Sequence, residues 1–307
     1  MYMERFQTTS SDGKTTLAAY KMVPAQPRGM VQISHGMCEY FLRYRPFAEF
    51  LAEAGLIVFG HDHLGHGYTA TSTRRLGYTA KDGGADFLVE DVHNLTLKMK
   101  QEYPDLPVVL FGHSMGSFIA RAVTEKYASS YAGAVFCGTC GYGMPVGFAR
   151  IVTKHMIKLF GERHRSALLT KVMFGGYNKK CGENCDFHAW LTRDEEVVKA
   201  YNENILCNYI FTLRGYDDLF ALIAKVSTDE WAQNLAKELP VLVTSGEEDP
   251  VGDWGKGVRA VAEKLLDAGM QDVTLKLYPE MRHEIVNEID HEAVWADLLE
   301  WINSKLA

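Results

Sequence analysis

The sequence predicts an α/β protein with one mostly parallel central sheet, helices on both of its faces and a helical segment inserted late in the chain. Three observations lead there. From residue 30 onward, short apolar runs alternate with longer amphipathic ones. Most of the short runs are continuously apolar, as strands buried on both faces of a parallel sheet are. The alternation stops between about Thr139 and Asn234 and resumes at Val241.

The elements follow in order. Residues 6 to 22 form an antiparallel edge hairpin turning near Asp12-Gly13. Strands are expected at Met30 to Ser34, Leu56 to Phe59, Val108 to Phe111, Ala134 to Cys137, Val241 to Thr244 and Val273 to Leu277, each rich in β-branched or aromatic residues and followed by Gly, Pro or polar residues. Helical patterns occupy Tyr44 to Ala54, Ala85 to Tyr103, Ser114 to Ala128, Gly257 to Ala268 and Glu292 to Ile302. Right-handed crossovers place them on both faces, with a site at the carboxyl ends of the strands. A chain of 307 residues fits one such sheet plus an insertion. Residues 1–138 and 235–307 are read as the core and 139–234 as a helical cap. The cap opens with a helix from Met144 to Phe160 that sets Phe148, Ile151, Val152, Met156, Leu159 and Phe160 at helical spacings among Arg150, Lys154, His155 and Lys158. Packing of a lid on the core is the commoner use of such a stripe; a surface that faces an acyl chain or makes transient contact with a lipid interface is the other.

Composition removes several classes. The chain is 47% hydrophobic and 23% charged, ordinary for a globular enzyme. A formal charge of −7 gives no overall basic field to draw nucleic acid, so none is expected as a partner. The N-terminus lacks the apolar core of a signal peptide, and no stretch approaches the ~20 apolar residues of a membrane span, so a cytoplasmic protein with mostly reduced cysteines is expected. Cys137 and Cys140 have C-x-x-C spacing, but no second such pair follows at zinc-finger distance.

The chemistry begins at Gly112-His113-Ser114-Met115-Gly116, a G-x-S-x-G between an apolar strand and a helix. A strand-to-helix elbow strains the nucleophile's backbone and needs small residues on either side, which Gly112 and Gly116 provide. The helix N-terminus aims N–H groups and positive dipole at the reacting carbonyl. A serine hydroxyl needs an imidazole to take its proton, and the imidazole needs a carboxylate to fix its tautomer. Late strands run into Ser245-Gly246-Glu247-Glu248-Asp249-Pro250 and into Tyr278-Pro279-Glu280-Met281-Arg282-His283, the places for the acid and the base. Asp249 is preferred over Glu247, Glu248 and Asp253 because Pro250 holds it in the loop. His283 is preferred over His291, which opens a helix. Backbone N–H groups of Met37, in the loop after an early strand, and of Met115 are the candidate oxyanion donors. His61-Asp62-His63-Leu64-Gly65-His66 is dense in metal-ligand residue types, and a metallohydrolase is the competing reading; hydrogen bonding to the oxyanion loop is the preferred one, with no metal and no cofactor.

Four stretches in order, His35-Gly36-Met37-Cys38-Glu39, Gly60 to Gly67, Gly112 to Gly116 and Tyr278 to Glu284, resemble the monoacylglycerol lipase and lysophospholipase group of α/β hydrolases, which includes serine aminopeptidase-like proteins. The resemblance covers nearly the whole chain. It implies an α/β-hydrolase fold, the triad Ser114, Asp249 and His283, an oxyanion hole at Met37 and Met115, and a lid over an acyl pocket. Cys38 and Tyr40 stand where the family loop usually has Gly and His. Phe148, Phe174, Tyr177, Phe187 and Trp190 are the candidate pocket residues of the cap. The expected activity is hydrolysis of a small-molecule acyl ester, a single-chain one such as a monoacylglycerol or lysophospholipid. A thioesterase or amide-cleaving peptidase is the runner-up, and a hydrolase-fold ligand sensor with little turnover is the third reading.

Overall fold

A computed structural model describes residues 2–141 and 145–306. Among these residues eight strands form one sheet in the order β1-β2-β4-β3-β5-β6-β7-β8. β1 (Met3–Thr9) and β2 (Thr16–Met22) make the expected edge hairpin, and β2 pairs antiparallel with β4 (Leu56–His61). The remaining pairs, among β4, β3 (Gly29–Ser34), β5 (Val108–His113), β6 (Gly133–Cys137), β7 (Val241–Gly246) and β8 (Val273–Tyr278), are parallel. β3 to β7 are buried along their whole length, which is why their sequences read as unbroken apolar runs.

Alternate residues of each strand serve two separate cores. On one face Val31, Val58, Val109, Val135 and Leu242 pack against α1 (Arg45–Glu53) and α10 (His291–Lys305), through Phe47, Leu51, Leu298 and Ile302. On the other, Met30, Ile57, Leu110, Phe136 and Val243 meet α2 (Gly84–Glu102), α3 (Met115–Tyr127) and α9 (Lys256–Asp267). The helices agree with the sequence expectation to within a few residues at each end.

Between β6 and β7 lie α4 (Val146–Phe160), α5 (Ala167–Phe174), α6 (Glu195–Glu203), α7 (Leu213–Val226) and α8 (Asp229–Asn234). The expected start of the first of these at Met144 lies outside the described residues. α7 and α8 behave as sheet-covering helices: Leu219, Phe220 and Trp231 join the second core, and α7 packs on α2 and α3. Their amphipathic pattern is the same whether a helix covers a sheet or lies in a cap, so the sequence alone did not separate them from the segment before them. Buried Arg121 of α3 fixes this junction, donating to the Thr139 hydroxyl, the Cys140 carbonyl and the Val226 carbonyl.

Candidate active site

Ser114 occupies the single position between β5 and α3, with φ 53° and ψ −121°. Such a backbone costs on the order of 1–3 kcal/mol for a residue with a side chain and persists only where its surroundings impose it. They do. The Ser114 N–H donates to the Cys137 carbonyl at 2.9 Å. A Cβ on Gly116 would collide with the Ser34 carbonyl, and one on Gly112 with the Gly116 carbonyl.

On the far side of the sheet ends, His283 Nδ1 lies 3.0 Å from both carboxylate oxygens of Asp249. Asp249 is fully buried, whereas Glu247 and Asp253 are exposed and Glu248 is half-buried. Burial alone would raise the Asp249 carboxyl; His283, the Ser245 hydroxyl (2.6 Å) and the Val251 N–H (2.9 Å) outweigh it and hold the group below its ordinary value. An ionised Asp249 accepts only, so His283 carries its proton on Nδ1 and the neutral ring keeps a lone pair on Nε2. The rival His291 starts α10 and spends its Nδ1 on the Glu288 carbonyl.

Ser114, His283, Met37 and Met115 line one cavity. Met115 is the first residue of α3, so its N–H has no carbonyl a turn behind it in the helix. Of the candidate pocket aromatics, Phe174, Tyr177, Phe187 and Trp190 also line the cavity, and Trp190 lies against the His283 ring at 5.1 Å. Phe148 does not. α4 turns it outward, 68% exposed, together with Ile151, Leu159 and Phe160, while Thr153 is the residue α4 buries.

Residues 189 to 193 are stitched to the loop that carries His283. Glu284 N–H donates to the Leu191 carbonyl (2.7 Å), Arg282 to the Ala189 carbonyl (2.8 Å), Thr192 Oγ1 to the Asn287 carbonyl (3.1 Å) and Arg193 to the buried Glu288 (3.0 Å).

Sequence reading gave no role to a buried charged cluster beside the cavity. Glu39 accepts from the Gly36 N–H, the Tyr44 hydroxyl and Arg43 and lies 3.2 Å from His113 Nδ1, and Arg43 reaches across to grip Glu284 with two hydrogen bonds of 2.6 and 2.7 Å. The one available signal was the charge of Glu39 and Glu284 within the motif stretches His35 to Glu39 and Tyr278 to Glu284. The histidine group behaves as a scaffold. His35 donates from Nδ1 to the Gly36 carbonyl and accepts the His63 N–H on Nε2; His66 donates to the Leu64 carbonyl; His63 bonds Ser34. Asp62 accepts N–H groups from Phe41 and Tyr68 and the Tyr20 hydroxyl, fixing the turn after β4.

The profile of the family described as "Serine aminopeptidase, S33" matches residues 25–290. The chain belongs to the serine aminopeptidase S33 family. It is a serine hydrolase of the esterase and lipase type on the α/β-hydrolase fold. The S33 chain is 28% identical over 283 residues to a monoacylglycerol lipase of Mycolicibacterium smegmatis, covering 91% of this chain and 90% of that one. It is 38% identical over 283 residues to a monoglyceride lipase homolog of Monkeypox virus, covering 91% of each. The structure of a thermostable carboxyl esterase from Bacillus coagulans in complex with glycerol superposes on this S33 chain with a TM-score of 0.93, at 29% identity over 100% of both chains.

Proposed function

We propose that the protein hydrolyses single-chain acyl esters, monoacylglycerols or lysophospholipids, through an acyl-enzyme on Ser114. The observation that carries this reading is the His283 ring, held at 3.0 Å from the buried Asp249 carboxylate and facing the same cavity as Ser114. His283 Nε2 takes the Ser114 proton as Oγ attacks the ester carbonyl. The N–H groups of Met37 and Met115 receive the oxyanion. Collapse expels the alcohol, protonated by His283, and a water activated by the same nitrogen releases the fatty acid. Phe118, Met173, Leu219 and Ile223 give the cavity an apolar wall suited to an acyl chain, and Glu39, His188 and Tyr201 give it a polar end suited to a hydroxylated head group.

The same reading assigns the region from α4 to Phe211 as the lid. The exposed Phe148, Ile151, Leu159 and Phe160, flanked by Arg150, Lys154 and Lys158, would meet the lipid surface from which substrate is drawn. No helix among the described residues is long and apolar enough to cross a membrane.

A fluorophosphonate probe followed by a chain-length series of monoacylglycerols, lysophospholipids, thioesters and aminoacyl amides tests both levels. Labelling and turnover are expected to vanish in Ser114→Ala, and retention of either would sink the nucleophile. A stronger preference for the amide, which the family's name makes the natural rival, would replace the ester reading with a peptidase.

A further inference from the structure

His113 precedes the nucleophile, is 2% exposed and does no chemistry in the scheme above. Its two ring nitrogens face two different partners. Nε2 lies 3.2 Å from the main-chain carbonyl oxygen of His283, and Nδ1 lies 3.2 Å from Oε1 of Glu39. A carbonyl oxygen only accepts, so Nε2 carries a proton. Glu39 already accepts from the Gly36 N–H, the Tyr44 hydroxyl and Arg43, an acceptor's place that only an ionised carboxylate can fill, so Nδ1 carries a proton too.

We infer that His113 is a resident imidazolium, a positioning residue that ties the nucleophile elbow to the oxyanion loop through Glu39 and to the base loop through the His283 carbonyl. The inference rests on the reading of Ser114 and His283 as nucleophile and base.

The charges around the ring support it. Glu39 comes from the loop after β3, Arg43 and Tyr44 from the helical turn Phe41–Tyr44 that follows it, His283 and Glu284 from the loop after β8, and Cys137 from the neighbouring β6. The Tyr44 hydroxyl and the Cys137 thiol are pushed up by burial and stay neutral. Two carboxylates then face Arg43 alone unless His113 is charged; with it, two anions meet two cations. Burial would lower His113, and the hydrogen bond and charge of Glu39, then the charge of Glu284, outweigh it and raise the ring above its ordinary value. Burial would raise Glu39, and the His113 hydrogen bond and Arg43 hold it far below its ordinary value. A neutral His113 would leave net negative charge beside Gly36 and Met37, where an oxyanion must form, and would release one of the two loops. The device is intact below the raised pKa of His113 and fails as pH rises through it.

The test joins nuclear magnetic resonance of histidine-labelled full-length protein with kinetics. At pH 7.5, about one unit above the ordinary histidine value, one ring is expected to carry protons on both nitrogens. Its through-space contacts to His283 assign it, and the signal disappears in His113→Asn. In that variant kcat on a soluble ester is expected to fall about 10²-fold, with KM within about twofold and the wild-type alkaline limb of the kcat profile abolished. A singly protonated His113 ring in the wild type overturns the inference without any variant, and so does a kcat loss that leaves the alkaline limb in place, the mark of packing damage alone. If His113→Asn fails to fold, Glu39→Gln serves, and it is expected to strip one ring proton; a ring still doubly protonated in Glu39→Gln overturns the inference. Retained turnover in Ser114→Ala would instead sink the nucleophile, and the proton count on His113 does not depend on that result.

Discussion

Asp249 is the residue whose function depends most on what surrounds it. Its carboxylate is fully buried, yet it stays ionised because a hydroxyl, an N–H and an imidazole are aimed at it. In Asp249→Asn the amide can present an N–H to His283 Nδ1, which favours the tautomer with the proton on Nε2 and removes the base. The kcat on a short-chain ester is expected to fall about 10⁴-fold with KM little changed, and a loss under tenfold in a folded variant would show that another acid serves. In the sequence Pro250 marks Asp249 as a loop residue and His283 follows a strand rather than opening a helix, and the structure brings the two together. Arg43 was not legible there. Its partner Glu284 lies 241 positions away, and no local pattern announces a pair that only the closing of the fold brings together. Phe148 failed for the opposite reason: helical spacing places it on a stripe, but the stripe has two sides and spacing does not say which one the protein covers.

At the scale of elements, the strand-elbow-helix unit was readable almost to the residue, because backbone geometry there is enforced by glycines that nothing larger could replace. Residues 139–234 were readable only as a break in rhythm. α4 and α7 show similar amphipathic patterns, yet α7 lies on the core and α4 lies over α7, leaving large apolar side chains in water. Solvent exposure of four such residues on one helix is costly unless something covers them in use. The double variant Phe148→Ser/Leu159→Ser is therefore expected to keep wild-type turnover on a soluble ester and to lose binding to phospholipid vesicles, with turnover on vesicle-borne monoacylglycerol falling in step. Sedimentation with vesicles reads the binding. Unchanged vesicle binding would show that these residues are not the contact.

At the scale of the whole molecule, the protein has two cores back to back on one sheet, and a nest of neutral imidazoles at the strand ends. Burial holds His61 and His66 near 4, and His35, with the neighbouring His66 acting in the same direction, near 3. In the unfolded chain each titrates near 6.5. As pH drops below that value the unfolded chain binds protons that the folded chain refuses, so stability is lost between about pH 6.5 and pH 4 and levels off below the folded values. The loss is on the order of several kcal/mol in sum, and His113, whose pKa is raised, works in the reverse sense by losing its contribution as pH climbs. Urea unfolding midpoints at pH 7.5, 5.5 and 4.5 are expected to fall in that order; a flat series would mean the imidazoles are charged in the folded state. The sheet order and the two-faced burial could be anticipated from apolar periodicity, whereas this acid sensitivity could not, since it depends on how deeply each ring is buried.

The stitching of residues 189 to 193 to the loop of His283 bears on how such enzymes can be recombined. A designer exchanging residues 139–234 between relatives, where the strand rhythm breaks and resumes, would transplant the splints that hold the His283 loop along with walls of the cavity. Chimaeras cut before Ala189 would inherit a new entrance on an undisturbed catalytic frame, and those cut after Arg193 would have to rebuild that frame from mismatched parts.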